Sequence, residues 1–296
     1  MYAVEVSKVS KSFNSTKAVD NISFSIGQGE IFGMVGPNGA GKTTTIRMLM
    51  DIIKPDSGEI KILGESLNEG TKNQIGYLPE ERGLYRRITV SESLAYLAAL
   101  KGMEASLAKV RAGALLQQVN MLQHKDKKIE GLSRGMGQII QFVVTILHDP
   151  KLVVLDEPFS GMDPVNKEMI KGMIRDLRNQ GKTIVLSTHM MNEVEELCDR
   201  ILMINKGRVV LYGTLADIKL RYQNNSIFLE CNQLPEEING VVGSKDHGRY
   251  VELFLDGNTP PQEILNTLVS SGVIVERFEV STPSLNEIFI QVVKEG

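Results

Sequence analysis

With 296 residues, 42% of them hydrophobic and 23% charged, the chain has an ordinary globular balance and room for one large domain and a small one. A formal net charge of −3 argues against a protein whose main partner is nucleic acid, since such proteins ordinarily carry a basic surplus. Its two cysteines, Cys198 and Cys231, stand far apart with no metal-ligand spacing nearby; this excludes a disulfide framework or zinc ribbon and leaves two buried free thiols as the expectation.

In chain order, residues 21–26 (NISFSI) alternate polar and apolar and predict a strand with one buried face. A GQG turn then leads into 30–36 (EIFGMVG), an apolar strand that runs into a glycine-rich loop, and after Lys42 the pattern turns helical. Residues 86–150 are expected to be a helix-rich insert, where Thr89 and Glu92 have capping-box spacing ahead of VSESLAYLAALKG. The runs 151–158 (KLVVLDEP) and 182–189 (KTIVLSTH) are continuously apolar and end in polar residues, the mark of strands buried on both faces of a parallel sheet. Between them Asp163 caps a helix that has Pro164 at its first position and is stopped by Gly181. Residues 205–213 (NKGRVVLYG) predict a hairpin closing a first domain, 1–220. The texture then changes. SIFLEC, RYVELFLD and GVIVERFEV are short strands and PQEILNTLVSS an amphipathic helix, so 221–296 is expected to be a separate small α+β domain, an interaction or regulatory module rather than a catalyst.

No charged-then-apolar leader is visible. The longest apolar stretch, 139–148 (IIQFVVTILH), is about half the length of a bilayer span and contains Gln141. A cytoplasmic protein that does not itself cross a membrane is expected.

Residues 36–44 (GPNGAGKTT) fit G-x-x-x-x-G-K-[ST] through Gly36, Gly41, Lys42 and Thr43. They lie after a buried strand and before a helix, where the pattern has its physical meaning. The loop runs from Gly36 through Pro37, Asn38, Gly39 and Ala40 to Thr44, and its backbone N–H groups, which all but Pro37 supply, converge on phosphate oxygens, while the helix N-terminus adds its partial positive charge. Lys42 is expected to reach the β- and γ-phosphates, and the Thr43 hydroxyl to ligate Mg²⁺. Asp156, at the end of an apolar strand, suits the carboxylate that holds Mg²⁺ in P-loop NTPases. Glu157 follows it, placed to orient or deprotonate a water attacking the γ-phosphate. His189 ends the next strand and is expected to contact the γ-phosphate. His124, His148 and His247 have no such setting and are expected at the surface.

The stretch 131–138 (GLSRGMGQ) opens a helix ahead of the Asp156–Glu157 strand and resembles the LSGGQ signature of ATP-binding cassette (ABC) ATPases, with Leu132, Ser133 and Gly135 matching. The resemblance to the ABC nucleotide-binding domain runs in order over 1–215. Phe13 stands at the position that stacks adenine, the P-loop follows, then IGYLPEERGLY where the family has its Q-loop, the signature, LVVLDEP, SGMD (160–163) as D-loop, and the switch histidine His189. It implies a P-loop NTPase of α/β class: a RecA-like mixed sheet core with an antiparallel β subdomain and a helical insert, followed by the small α+β C-terminal domain. It also implies that two such domains face each other head to tail, each ATP lying between the P-loop of one and the Ser133 and Gly135 of the other, as a homodimer or pseudo-dimer.

Five positions in three motifs depart from the family's pattern. Glu80 replaces the Q-loop glutamine and is still able to bind Mg²⁺; Arg134 and Met136 replace a glycine and the glutamine of the signature; Gly161–Met162 stand where Ala-Leu is usual. YLPEERGLY, LSRGM and the C-terminal PSLNEIF (283–289) resemble exporter-type subunits, including the sodium-export group. The resemblance thus implies an ATP-hydrolysing subunit that binds ATP and Mg²⁺ and drives a separate membrane permease, peripheral on the inner face of the cell membrane. The alternative is a single-cassette ABC ATPase acting on an assembly scaffold, a ribosome or nucleic acid. The intact Lys42, Asp156, Glu157 and His189 weigh against a subunit that only binds ATP.

Overall fold

The computed structural model describes residues 1–81, 83–222, 225–235 and 237–295. Arg82, within the Q-loop stretch, lies outside the described residues. The chain divides into two compact units, Met1–Leu215 and Ala216–Gly296.

The first unit opens with β1 (Tyr2–Phe13) and β2 (Thr16–Gly27), then β3 (Ile31–Val35), α1 (Lys42–Leu49), β4 (Ser57–Ile62), the single turn α2 (Glu69–Lys72) and β5 (Ile75–Leu78). Three helices follow, α3 (Val90–Leu100), α4 (Ala105–Gln118) and α5 (Arg134–Ile146), with 3₁₀ turns at Leu122–His124 and Ile129–Gly131. Then come β6 (Leu152–Asp156), α6 (Pro164–Asn179), β7 (Thr183–Thr188), α7 (Met191–Leu197), β8 (Arg200–Asn205) and β9 (Arg208–Thr214).

β2-β1-β4 make an antiparallel sheet, and β5-β6-β7-β3-β8-β9 a second sheet, parallel from β5 to β8 with β9 antiparallel at its edge. β3, β6 and β7 are buried at every residue, which is why their sequences are apolar without alternation. β2 alternates because one face alone is covered; there Phe24 stacks on Phe32 with ring centroids 5.7 Å apart. Phe32 is fully buried, a burial that contributes about 1.5–3 kcal/mol. In register, Val35 pairs with Thr188 and Asp156 with Ser187. The carboxyl ends of β3, β6 and β7 therefore lie side by side, and that edge is where an open α/β sheet places its ligand.

Local signals behave as their chemistry requires. Thr89 accepts from Glu92 N at 3.2 Å while the Glu92 carboxylate accepts from Thr89 N at 2.7 Å, a complete capping box. Asp163 accepts from Asn166 N, with Pro164 at the first helical position of α6. The β8–β9 turn holds Lys206 and Gly207 at φ 47° and 77°, the pair of left-handed residues that a tight hairpin demands.

From α8 (Leu215–Arg221), whose first residue ends the first unit, the second unit continues through β10 (Ser226–Cys231), β11 (Val241–Asp246), β12 (Val251–Leu255), α9 (Pro261–Ser270), β13 (Val275–Val280) and α10 (Leu285–Glu295). The strands form an antiparallel sheet in the order β11-β12-β10-β13. Ile264 and Leu268 of α9 pack on Ile227, Leu229, Leu253 and Leu255.

Two expectations are corrected. Cys198 is buried but Cys231 only partly so, because it ends β10. His148 is not a surface residue: it sits half-buried with Nε2 3.1 Å from Ile75 O, and His124 is also partly buried.

Candidate functional site

β3 ends at Val35 and the chain leaves the sheet through residues 36–41 before α1 begins at Lys42. Two glycines make this path possible. A Cβ at Gly36 would lie 2.1 Å from Ile204 O, and one at Gly41, whose φ is 111°, would lie 2.5 Å from Ala18 O; any side chain at either point is excluded. No side chain caps α1, so its first-turn N–H groups remain available to an anion. Lys42 is buried and folds back over the loop, its Nζ donating to Gly36 O at 2.8 Å and Pro37 O at 3.1 Å. Burial pulls its pKa down, opposed by the charges of Glu157, Asp156 and Glu80.

Asp156 is fully buried at the end of β6. Its Oδ1 accepts from Ser187 Oγ at 2.6 Å, and its Oδ2 has no hydrogen-bond partner among the described residues. Burial raises its pKa; the Ser187 and Thr43 hydroxyls oppose the rise, and Glu80 and Glu157 add to it.

Glu157 stands at φ 49°, an uncommon conformation for a side chain of this size and a strained one. Its N–H donates to Ser187 O at 2.9 Å, so the bend is anchored on β7. The bend carries the carboxylate to His189, whose Nδ1 lies 2.9 Å from Glu157 Oε1, while Thr188 Oγ1 lies 3.4 Å from Oε2. Glu157 is 12% exposed and His189 47%; the carboxylate is sheltered and the imidazole faces outward.

These groups surround a cleft of about 210 Å³ lined by Ala18, residues 38–44, Glu80 and Glu157. Glu80, exposed at the end of the β5 segment, thus shares the cleft with the loop and with Glu157. Phe13 ends β1, 47% exposed, and is not among the cleft's lining residues; Lys11 Nζ stands 5.7 Å from its ring centroid. Ser133 and Gly135 are not in the cleft either. Ser133 caps α5, accepting from Met136 N at 3.2 Å, and lines a separate cavity of about 450 Å³ with Leu84, Arg86 and Ile129. A single chain therefore holds two separate sets of polar groups.

Sequence reasoning missed Ser187 and Thr188, which hold the two carboxylates. Their signal was the switch from apolar to polar at the end of TIVLST, directly ahead of His189. It also missed Ala18, whose role is a backbone carbonyl and a cleft wall, neither of which has a residue-type signature.

Residues 19–160 match the family model described as ABC transporter, and residues 213–293 match that described as ATP-binding protein DrrA1-3-like, C-terminal domain. An uncharacterised ABC transporter ATP-binding protein of Bacillus subtilis, YhaQ, is 40% identical over 289 residues, 97% of each chain. The linearmycin resistance ATP-binding protein LnrL of the same organism is 36% identical, again over 97% of each chain. The Nod factor export ATP-binding protein I of Paraburkholderia xenovorans is 37% identical over 71% of this chain and 70% of that one. A solved structure of an ATP-binding subunit of an ABC transporter superposes with a TM-score of 0.70 at 30% identity, covering 74% of this chain and 93% of that chain.

Proposed function

The chain belongs to the family of ABC transporter ATP-binding proteins, which bind and hydrolyse ATP to power transport, and we propose that it is the motor of an exporter, acting on a separate membrane permease from the inner face of the membrane. The relatives named for linearmycin resistance and Nod factor export support export. No helix among the described residues is long and apolar enough to cross a membrane, which supports a separate spanning partner.

The observation that carries the chemical reading is the seating of Glu157, a sheltered carboxylate on a strained backbone, beside the phosphate loop and against His189. In this reading residues 36–44 bind the phosphates of ATP, and Lys42 exchanges its two carbonyl acceptors for β- and γ-phosphate oxygens. Glu157 accepts the proton of the attacking water as its oxygen bonds to the γ-phosphorus and the bond to the ADP oxygen breaks. His189 fixes the carboxylate and contacts the γ-phosphate, and Phe13 stacks on adenine.

The fully buried, unpartnered Asp156 Oδ2 beside Thr43 fits a hard divalent cation. Asp156, Thr43 and Glu80 would hold Mg²⁺, which supplies neutralisation of charge on the β- and γ-phosphate oxygens. Ser133, which lines a cavity of its own, and Gly135 beside it at the start of α5 meet the ATP held by a second copy, so that ATP closes a head-to-tail dimer and hydrolysis reopens it. The larger unit is the motor and the smaller an accessory, regulatory module.

The test is co-purification from native membranes in mild detergent. A multi-spanning protein recovered one-to-one is the expected result. A ribosome or soluble scaffold, with the chain absent from washed membranes, would overturn the transport reading.

A further inference from the structure

Helix α5 is largely apolar, yet one line along it is polar. Arg134, Gln138, Gln141 and Thr145 stand at i, i+4, i+7 and i+11 and share one face. The last three are each 4% exposed. From this line Arg134 Nη2 donates to Ser160 Oγ at 3.4 Å, Gln138 Nε2 to Pro158 O at 3.2 Å and Gln141 Nε2 to Glu81 O at 3.3 Å. The acceptors fall on the two segments that leave the sheet at the cleft. Pro158 directly follows Glu157, and Glu81 directly follows Glu80. The residue capping the same helix is Ser133.

The grip is close at its first turn. Gly161 has φ 74°, and a Cβ there would lie 2.6 Å from Arg134 Nε; a Cβ on Gly135 would lie 3.4 Å from Gly161 O. The helix start and residues 160–162 lie close together, and a side chain at 161 would have to displace that of Arg134. The arginine at 134 and the glycine at 161 are thus one paired feature.

Stability does not account for Gln141 in this line. Gln141 Oε1 is buried with no hydrogen-bond partner among the described residues, and a half-satisfied buried amide costs more than an apolar side chain of similar volume. Leucine at 141 serves the packing at least as well. What leucine lacks is the bond to Glu81.

The geometry points to Arg134, Gln138 and Gln141 as positioning residues that tie the helix presenting Ser133 to the backbone carrying Glu80 and Glu157. These side chains thereby carry the coupling between nucleotide in a chain's own cleft and the serine which that chain offers to the other ATP. This rests on the proposed reading that Ser133 meets the ATP of a second copy.

The experiment uses the full chain and three measurements: ATP turnover against ATP concentration, binding of a fluorescent ATP analogue to the dilute monomer, and thermal unfolding. Gln141→Leu is expected to melt at or above the wild-type temperature and to bind the analogue within about twofold of wild type, while turnover falls on the order of tenfold and the Hill coefficient falls toward one. Arg134→Ala, at an exposed position, moves turnover and cooperativity the same way, and Arg134→Lys restores part of both. Wild-type turnover and cooperativity in both Gln141→Leu and Arg134→Ala would overturn the inference. So would a loss of monomer affinity that parallels the loss of turnover, or a drop in both melting temperature and turnover confined to Gln141→Leu, which would make this face a matter of packing. Ser133→Arg separates the two levels. If it leaves turnover intact, the cross-dimer reading fails and the inference with it; if it abolishes turnover while Gln141→Leu and Arg134→Ala behave as wild type, the positioning line alone fails.

Discussion

Asp156→Asn should make the nucleotide-free protein more stable while removing its stabilisation by Mg²⁺. The wild-type carboxylate is fully buried, with one oxygen bonded to Ser187 and the other unpartnered among the described residues. Burial raises its pKa despite the Ser187 and Thr43 hydroxyls. For an acid whose folded pKa lies above its unfolded one, the folded state is penalised above the folded pKa, and the penalty disappears below the unfolded pKa. Asparagine has nearly the same shape and keeps an oxygen for Ser187, but it carries no charge to desolvate. An unsatisfied buried polar group costs about 1–3 kcal/mol, more when charged, and each kcal/mol moves the melting midpoint of a domain this size by roughly 2–4 °C. Thermal unfolding in EDTA at neutral pH should therefore show the variant several degrees above wild type. The gap should narrow as pH falls through the carboxyl's range. With Mg²⁺ and ATP, wild type should gain stability and the variant far less, because binding to the folded state alone is what stabilises. A variant that melts below wild type in EDTA, or a gap indifferent to pH, would refute the reasoning: the site would then favour the carboxylate without any cation.

Glu157→Gln should lower turnover about 10²- to 10⁴-fold, the range of general acid–base contributions, and let ATP hold a stable dimer in size-exclusion chromatography; rapid residual hydrolysis would take the proton-accepting role away from Glu157. Gly41→Ala sets a Cβ 2.5 Å from Ala18 O at φ 111°, a strain of roughly 1–3 kcal/mol at the phosphate loop, so ATP affinity measured by calorimetry should fall while the second unit stays folded. His148 has its pKa pushed down to about 4, first by burial and then by the Lys101 charge. A base held neutral in the fold stabilises it above its unfolded pKa of 6.5 and loses that contribution as pH falls toward 4. His148→Gln should accordingly flatten the acid limb of the stability curve by up to about 3 kcal/mol, and an unchanged limb in urea titrations would reject this.

The parallel sheet was legible because burial on both faces writes itself as unbroken apolar runs, and the phosphate loop because glycines are forced where a Cβ meets Ile204 O and Ala18 O. Caps were legible for the same local reason, as Thr89–Glu92 and Asp163–Pro164 act within one helical turn. β11 was not. Its sequence VVGSKD is mostly exposed and holds a glycine, and its place is set by partners in β12 that periodicity cannot name. β1 was missed for a related reason: register shifts against β2 at Val6, Val9 and Lys11 break its alternation. In the site, the residue types at 42, 156, 157 and 189 announced themselves through motif spacing. The polar line on α5 did not, since in sequence Gln138, Gln141 and Thr145 are single interruptions of a greasy helix; their common face appears only at 3.6 residues per turn, and their acceptors are backbone carbonyls of distant loops.

Three separate costs meet at one edge of the sheet. Asp156 carries a buried oxygen without a partner, Lys42 is an ammonium stripped of water, and Glu157 holds a left-handed backbone. Contacts answer these costs only in part: the Asp156 oxygen has no partner among the described residues, Lys42 has the carbonyls of Gly36 and Pro37 in place of water, and the Glu157 bend is anchored by its N–H on Ser187 O. Each is a feature that a chain selected for stability alone would discard. Each cost also has a sign. An unsatisfied carboxylate oxygen calls for a cation, a desolvated ammonium for an anion, and a strained carboxylate propped against an imidazole for a proton to accept. A magnesium–nucleoside triphosphate with an attacking water supplies all three at once. The strain at this edge is therefore the structural reason that ATP with Mg²⁺ should stabilise the larger unit more than it stabilises any variant in which one of these groups has been made comfortable.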